Sequence, residues 1–108
     1  MLPKSCPSYP VSIFMAGHYV AALEICRQYC DEVGFCVTVT PTHYVYTGGH
    51  ESGFIVGLIN YPRFPASQAE IASKAVALAD RLRRELGQES YSIQYLDETV
   101  WHSWRDED

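Results

Sequence analysis

The chain has 108 residues, 47% hydrophobic and 19% charged, the make-up of one ordered globular domain rather than a disordered, collagenous or coiled-coil protein. Its formal net charge of -5 lacks the clustered Lys and Arg of a duplex-binding surface, so no direct nucleic-acid partner is expected. Met1 to Pro10 has no apolar stretch of the secretory type, and no run approaches the roughly 20 apolar residues that cross a bilayer, so the expected setting is cytoplasmic and without a membrane partner.

Residues 1–10 read as an N-terminal extension and 105–108 as a solvated acidic tail. Val11-Ser-Ile-Phe-Met-Ala16, apolar and bounded by Pro10 and Gly17, reads as a buried first strand. From His18 on, Ala22, Ile25, Cys26, Tyr29, Cys30 and Val33 recur at three and four, which predicts a helix over about 18–32 stopped by Gly34. A second strand is expected over Phe35–Thr40, with Pro41 bending or dividing it before Thr42–Thr47. Gly48 to Gly53 has turn chemistry, which makes the second and third strands an antiparallel hairpin, the third covering Phe54–Tyr61. Ser67-Gln-Ala-Glu70 has the spacing of a capping box, in which hydroxyl and carboxylate satisfy the first free N–H groups. The stripe Ile71, Ala75, Leu78, Ala79, Leu82 and Leu86, ended by Gly87, then predicts a second helix over about 68–86. Tyr91, Ile93 and Tyr95 alternate as a fourth strand, and Thr99–Trp104 can add a short one.

The order is βαββαβ. It implies the α+β ferredoxin-like fold: a four-stranded antiparallel sheet, two helices on one face and a long hairpin between strands two and three. In the third strand Phe54, Val56 and Leu58 oppose Ile55, Ile59 and Tyr61, so both faces look apolar. A partner should cover the second face, and a homo-oligomer, trimeric or dimer-based, is expected. The alternative is that the C-terminal segment with Trp101 and Trp104 packs there.

Candidate ligand-binding residues are Arg63, Tyr61, Asn60, Tyr44, Tyr46, Gly48 and Gly49. Arg63, held between Pro62 and Phe64-Pro65, offers a guanidinium fork to phosphate or carboxylate. The tyrosines and Asn60, expected beside it, offer stacking and hydrogen bonds, and Gly48-Gly49 offers backbone N–H groups. The plainer readings are an Arg63 bonded to helix carbonyls, tyrosines at an interface and glycines that a turn requires anyway. Cys26 and Cys30 share a helical face, where core packing competes with ligation; His18, His43, His50 and His102 lack HExxH or HxH spacing. Spacing leaves Cys36 with His43 open as a nucleophilic pair, because such pairs are spatial. No catalytic residue, metal or cofactor is expected.

Tyr44-Val-Tyr-Thr-Gly-Gly49 with Glu51 and Gly53, followed by Val56-Gly-Leu-Ile-Asn-Tyr-Pro-Arg-Phe-Pro65, resembles a pattern in small uncharacterised phage- and prophage-encoded proteins, over about Val11 to Trp104. The resemblance implies a phage accessory gene. The layout is also similar to CutA and PII-type trimers, which implies hairpins reaching neighbouring subunits and small ligands in subunit clefts, but neither metal tolerance nor PII signalling. The leading expectation is a counter-defence protein that is not an enzyme: an oligomer sequestering a nucleotide-like host immune signal between subunits. One alternative is an anti-CRISPR-like inhibitor of a host defence protein. Another is a small enzyme whose working parts would be Cys or His residues.

Overall fold

Residues 2–105 are described in the computed structural model; Met1 and residues 106–108, which hold most of the expected acidic tail, lie outside the described residues. Strand β1 (Val11–Ala16) buries Val11, Ile13 and Met15 on alternate positions, as a strand's period of two dictates. Helix α1 (Tyr19–Val33) starts where the His18 imidazole accepts the Ala21 N–H at 3.4 Å, and it stops at Gly34, whose φ is 69°. Helix α2 (Gln68–Leu86) is capped by the Ser67 hydroxyl, which accepts the Glu70 N–H at 3.1 Å, and it ends at Gly87 with φ 68°. Both helices pack on the sheet through Ala22, Ile25, Tyr29, Ile71, Leu78 and Leu82, all buried. Full burial of each large apolar side chain contributes about 1.5–3 kcal/mol.

The remaining strands are β2 (Thr38–Tyr46), β3 (Gly49–Leu58), β4 (Ser90–Gln94) and β5 (Thr99–Ser103), in the antiparallel order β2-β3-β1-β4-β5. The first four keep the expected split βαβ order. The fifth corrects the four-stranded ferredoxin-like expectation. Tyr95 donates its N–H to the Glu98 carbonyl at 2.8 Å, and that tight return lays Thr99–Ser103 along the edge of β4. The backbone groups of that edge are thereby paired instead of exposed.

Pro41 does not divide β2, which runs unbroken through it. The strand lies at the sheet edge, where a residue without an N–H need not break a ladder bond. The turn is Thr47-Gly48, with φ 88° at Gly48, and Gly49 to Gly53 zip against Tyr46 to Thr42 as part of β3. β3 therefore begins earlier and ends earlier than expected.

This register also corrects the expectation of two apolar faces. Phe54, Val56 and Leu58 face the helices, whereas the opposite face of β3 carries Gly49, Glu51, Gly53, Ile55 and Gly57. Ile59 and Tyr61 lie beyond the end of the strand. Trp101 and Trp104 do not cover that face either, because β5 is separated from β3 by β4 and β1. Trp104 instead packs at a tilt against Tyr91, with the Arg83 guanidinium 3.8 Å from its ring centre. Among the described residues, no helix is long and apolar enough to cross a membrane.

Candidate functional site

The sheet face away from the helices carries the candidate site. Cross-strand register places Tyr44 beside Glu51, and Phe14 between Ile55 and Ser92, all on this open side. Here a cleft of about 380 Å³ lies between the hairpin and the α2–β4 loop. Phe14, Ala16 and Tyr44 line it with Ser90, Ser92 and Trp101, and Glu51, Glu89 and Arg105 bring charge to it. The volume is within the roughly 300–1,000 Å³ range of small-molecule sites.

Tyr44 occupies its place because Gly53 has no side chain. A Cβ on Gly53 would collide with the Tyr44 ring and would sit 2.5 Å from the Met15 carbonyl oxygen. The phenol donates to the Phe54 carbonyl at 2.8 Å. Burial pushes the Tyr44 phenol above its ordinary pKa; a hydrogen bond with the Met15 backbone opposes this, and the nearby Glu51 charge adds to it. The group is thus a neutral phenol at physiological pH. Glu51 is exposed and makes no ion pair among the described residues. Arg105 stands 3.6 Å from Glu89, and Trp101 leaves 58% of its surface open. A free carboxylate, an arginine and an aromatic face around a partly apolar floor can hold a ligand with a cationic centre and a flat ring.

The seven expected binding residues fall into separate groups. Tyr44 enters the cleft. Tyr46 lies over Gly49 at the hairpin end, where a Cβ on Gly49 would come within 3.0 Å of the ring, and Gly48 forms the turn. Asn60, Tyr61 and Arg63 follow the far end of β3. From Thr38, opposite Gly57, to Tyr44 is six strand residues, roughly 20 Å at about 3.3 Å each. The expectation that Arg63 has Tyr44 and Tyr46 beside it is therefore corrected within one chain, because the antiparallel register sends them to opposite ends.

Asn60 is 7% exposed; its amide donates to the Pro7 carbonyl at 2.8 Å and its oxygen accepts the Ala66 N–H at 2.8 Å. It ties the N-terminal extension to the approach of α2. Arg63 is exposed in the turn that Phe64 closes on the Tyr61 carbonyl at 3.0 Å. The Cys26 thiol is pushed up to about 12, first by burial and then by Cys30, which makes it a neutral core group. Cys36 precedes β2 and His43 lies well along it, so strand geometry separates that candidate pair. No cluster of three or more metal-capable side chains occurs among the described residues.

Glu89, Trp101 and Arg105 were not singled out from sequence for binding. Glu51 enters through the two family resemblances and the Gly48–Gly53 turn, not as a binding residue. Its one local signal was its position, a charged residue on the face of β3 opposite Phe54 and Val56.

No family model matches the chain, and no curated protein matches it. Two solved structures match its shape. A phage SAM lyase in complex with S-methyl-5′-thioadenosine has a TM-score of 0.74 at 16% identity, covering 100% of this chain and 98% of that one. A phage SAM lyase in its apo state has a TM-score of 0.73 at 16% identity, with 100% of both chains covered. At this identity the likeness establishes a shared fold. The phage origin of these structures accords with the phage-type resemblance, and no link to CutA or PII trimers is shown. The expectations of a sponge without turnover and of a protein that is not an enzyme are corrected by this finding: the structures sharing the fold end to end are those of a lyase. The anti-CRISPR alternative gains no support.

Proposed function

We propose that the chain is a lyase acting on S-adenosylmethionine or a close sulfonium nucleoside, with S-methyl-5′-thioadenosine released from the open-face cleft. The observation that carries this reading is the end-to-end likeness to phage SAM lyase. The cleft supports it by holding Glu51 without an ion-pair partner among the described residues, beside Phe14, Tyr44 and Trp101. In this reading the bond between sulfur and the aminobutyryl carbon breaks, and its electron pair stays on sulfur. A cation becomes a neutral thioether. As that bond breaks, either the carbon is attacked from the side opposite sulfur by the same molecule's carboxylate, closing a lactone, or the neighbouring carbon gives up a proton to Glu51 or water, leaving an alkene. Neither route consumes an oxidant or a reductant.

The residues divide this work by their chemistry. An unpaired cation on an apolar floor is costly, so Phe14 and Ala16 favour the neutral thioether over the sulfonium. Glu51 holds the substrate's ammonium group and so orients the aminobutyryl chain. The Tyr44 hydroxyl is committed to the Phe54 carbonyl, so this ring shapes the floor next to Glu51. Trp101 offers a stacking face for adenine.

The test is chromatography of S-adenosylmethionine after incubation with the purified chain. The expected result is one thioadenosine product per substrate lost, with the second product distinguishing lactone from alkene. Glu51→Gln should slow turnover by about 10²–10³-fold without moving the unfolding midpoint. Intact substrate at long times, with no retained thioadenosine, would reject the reading. The oligomer belongs to the same proposal. A neighbouring copy on the open face would close the cleft and would be the route by which Tyr61 and Arg63 reach a ligand. Light scattering that returns a monomer removes those two residues from the site.

A further inference from the structure

His43 and His50 lie seven residues apart in sequence, yet the hairpin brings their rings together. With Val45 opposite His50 and His43 opposite Ser52, the two are diagonal neighbours on the helix side of the sheet, away from the cleft. The Nε2 of His43 stands 2.9 Å from the Nδ1 of His50, and the rings stack at 5.1 Å with an interplanar angle of 27°. Both side chains are exposed, and neither has another hydrogen bond or a carboxylate partner among the described residues. One nitrogen donates and the other accepts in this contact. Nothing in the open-face chemistry uses them.

We infer that His43 and His50 form a two-imidazole site for a borderline divalent cation of the Ni²⁺ type. The separation selects the geometry. At metal–nitrogen distances of about 2.0–2.1 Å, ligands at right angles stand about 2.9 Å apart and tetrahedral ligands about 3.3 Å. The observed spacing matches the right-angled case, which tetragonal ions prefer and Zn²⁺ does not require. Binding needs both facing nitrogens unprotonated. The ring that now donates moves its proton to its other nitrogen, so two neutral histidines take up the ion without net proton release. Water completes the coordination.

His18 borders the same cavity of about 570 Å³ as His43. Its Nδ1 already accepts the Ala21 N–H, which leaves the proton on Nε2 and keeps this ring out of the site. Occupancy would clasp the two strands near the hairpin end, and the residue after His50 is Glu51. The site does not depend on the lyase reading.

The experiment is calorimetric titration of the chelator-treated full chain with NiCl₂ at neutral pH, before and after alkylation of the thiols. One ion per chain is expected, insensitive to alkylation, with at least about tenfold weaker binding in His43→Ala and in His50→Ala. His18→Ala and His102→Ala should bind as the parent does. Backbone amide exchange over residues 45–50 should slow with Ni²⁺ in the parent alone. Equal binding by the parent and both hairpin variants, no saturable binding at all, or loss on alkylation or in His18→Ala would each overturn the inference. Because both rings are exposed, these variants should fold as the parent does, which their far-ultraviolet dichroism checks.

Discussion

The two faces of β3 differ sharply. Toward the helices, Phe54, Val56 and Leu58 are 1% exposed or less. On the other side, the same strand alternates glycine with Glu51 and Ile55, and β2 side chains lie against those glycines: Tyr46 on Gly49, Tyr44 on Gly53 and Thr38 on Gly57. A period of two thus lets one strand put core packing on one side and the residues of the candidate cleft on the other. Side chains on the open face can be exchanged for binding function without cost to the core, provided the glycines keep room for the rings beside them.

The comparison can be broken at adjacent positions. Phe54→Ala should cost about 3–5 kcal/mol in urea unfolding, through lost burial and the cavity left behind. Ile55→Ala, one residue on and facing the other way, should cost less than about 1 kcal/mol. Equal costs would mean that the neighbouring copy proposed for the open face buries Ile55 as deeply as the helices bury Phe54. Gly53→Ala sharpens the contrast within the open face, since it should lose about 1–3 kcal/mol to overpacking. It should also lift Tyr44 off its seat, and the phenol should then titrate nearer its ordinary value in ultraviolet absorbance.

Smaller effects come from titrating groups. The Cys26 thiol is held up to about 12 in the fold. Its unfolded value is about 8.5, so its contribution is full below that pH and is lost as pH rises toward the folded value. Cys26→Ala should flatten the alkaline loss of stability, and an alkylating agent should reach exposed Cys36 well before Cys26. The Glu32 carboxyl, exposed on α1, is held below its ordinary pKa by a hydrogen bond from Arg81 of α2 at 2.6 Å and by the Arg81 charge. A lowered folded value contributes stability above the usual carboxylate pKa and loses it as pH falls through the folded one. Glu32→Gln should therefore leave neutral stability nearly unchanged and weaken only the acid dependence near that carboxylate, because exposed pairs contribute little.

Much of the fold was legible because its signals are local. The range of α2 follows from the Ser67–Glu70 cap, the apolar stripe and the stop at Gly87, each read from residues three or four apart. The ends of β3 were misread because glycines that suggested a loop were paired across a hairpin, a fact carried by β2 and not by β3 itself. The site was less legible for the same reason. Tyr44 stood out by residue type, but its seat depends on Gly53, Met15 and Phe54 from two other strands. Trp101 and Arg105 reach the cleft because the last strand pairs along β4, and His43 meets His50 at a spacing that no metal motif contains.

By itself the sequence determined the helices and the order of the first four strands, because each follows from contacts a few residues apart. Only the tertiary structure decided which strand edge the C-terminal segment took, which side chains shared the open face and how far Arg63 stood from Tyr44. Those depend on register between distant segments, and a slip of one residue would have exchanged the two faces of β3.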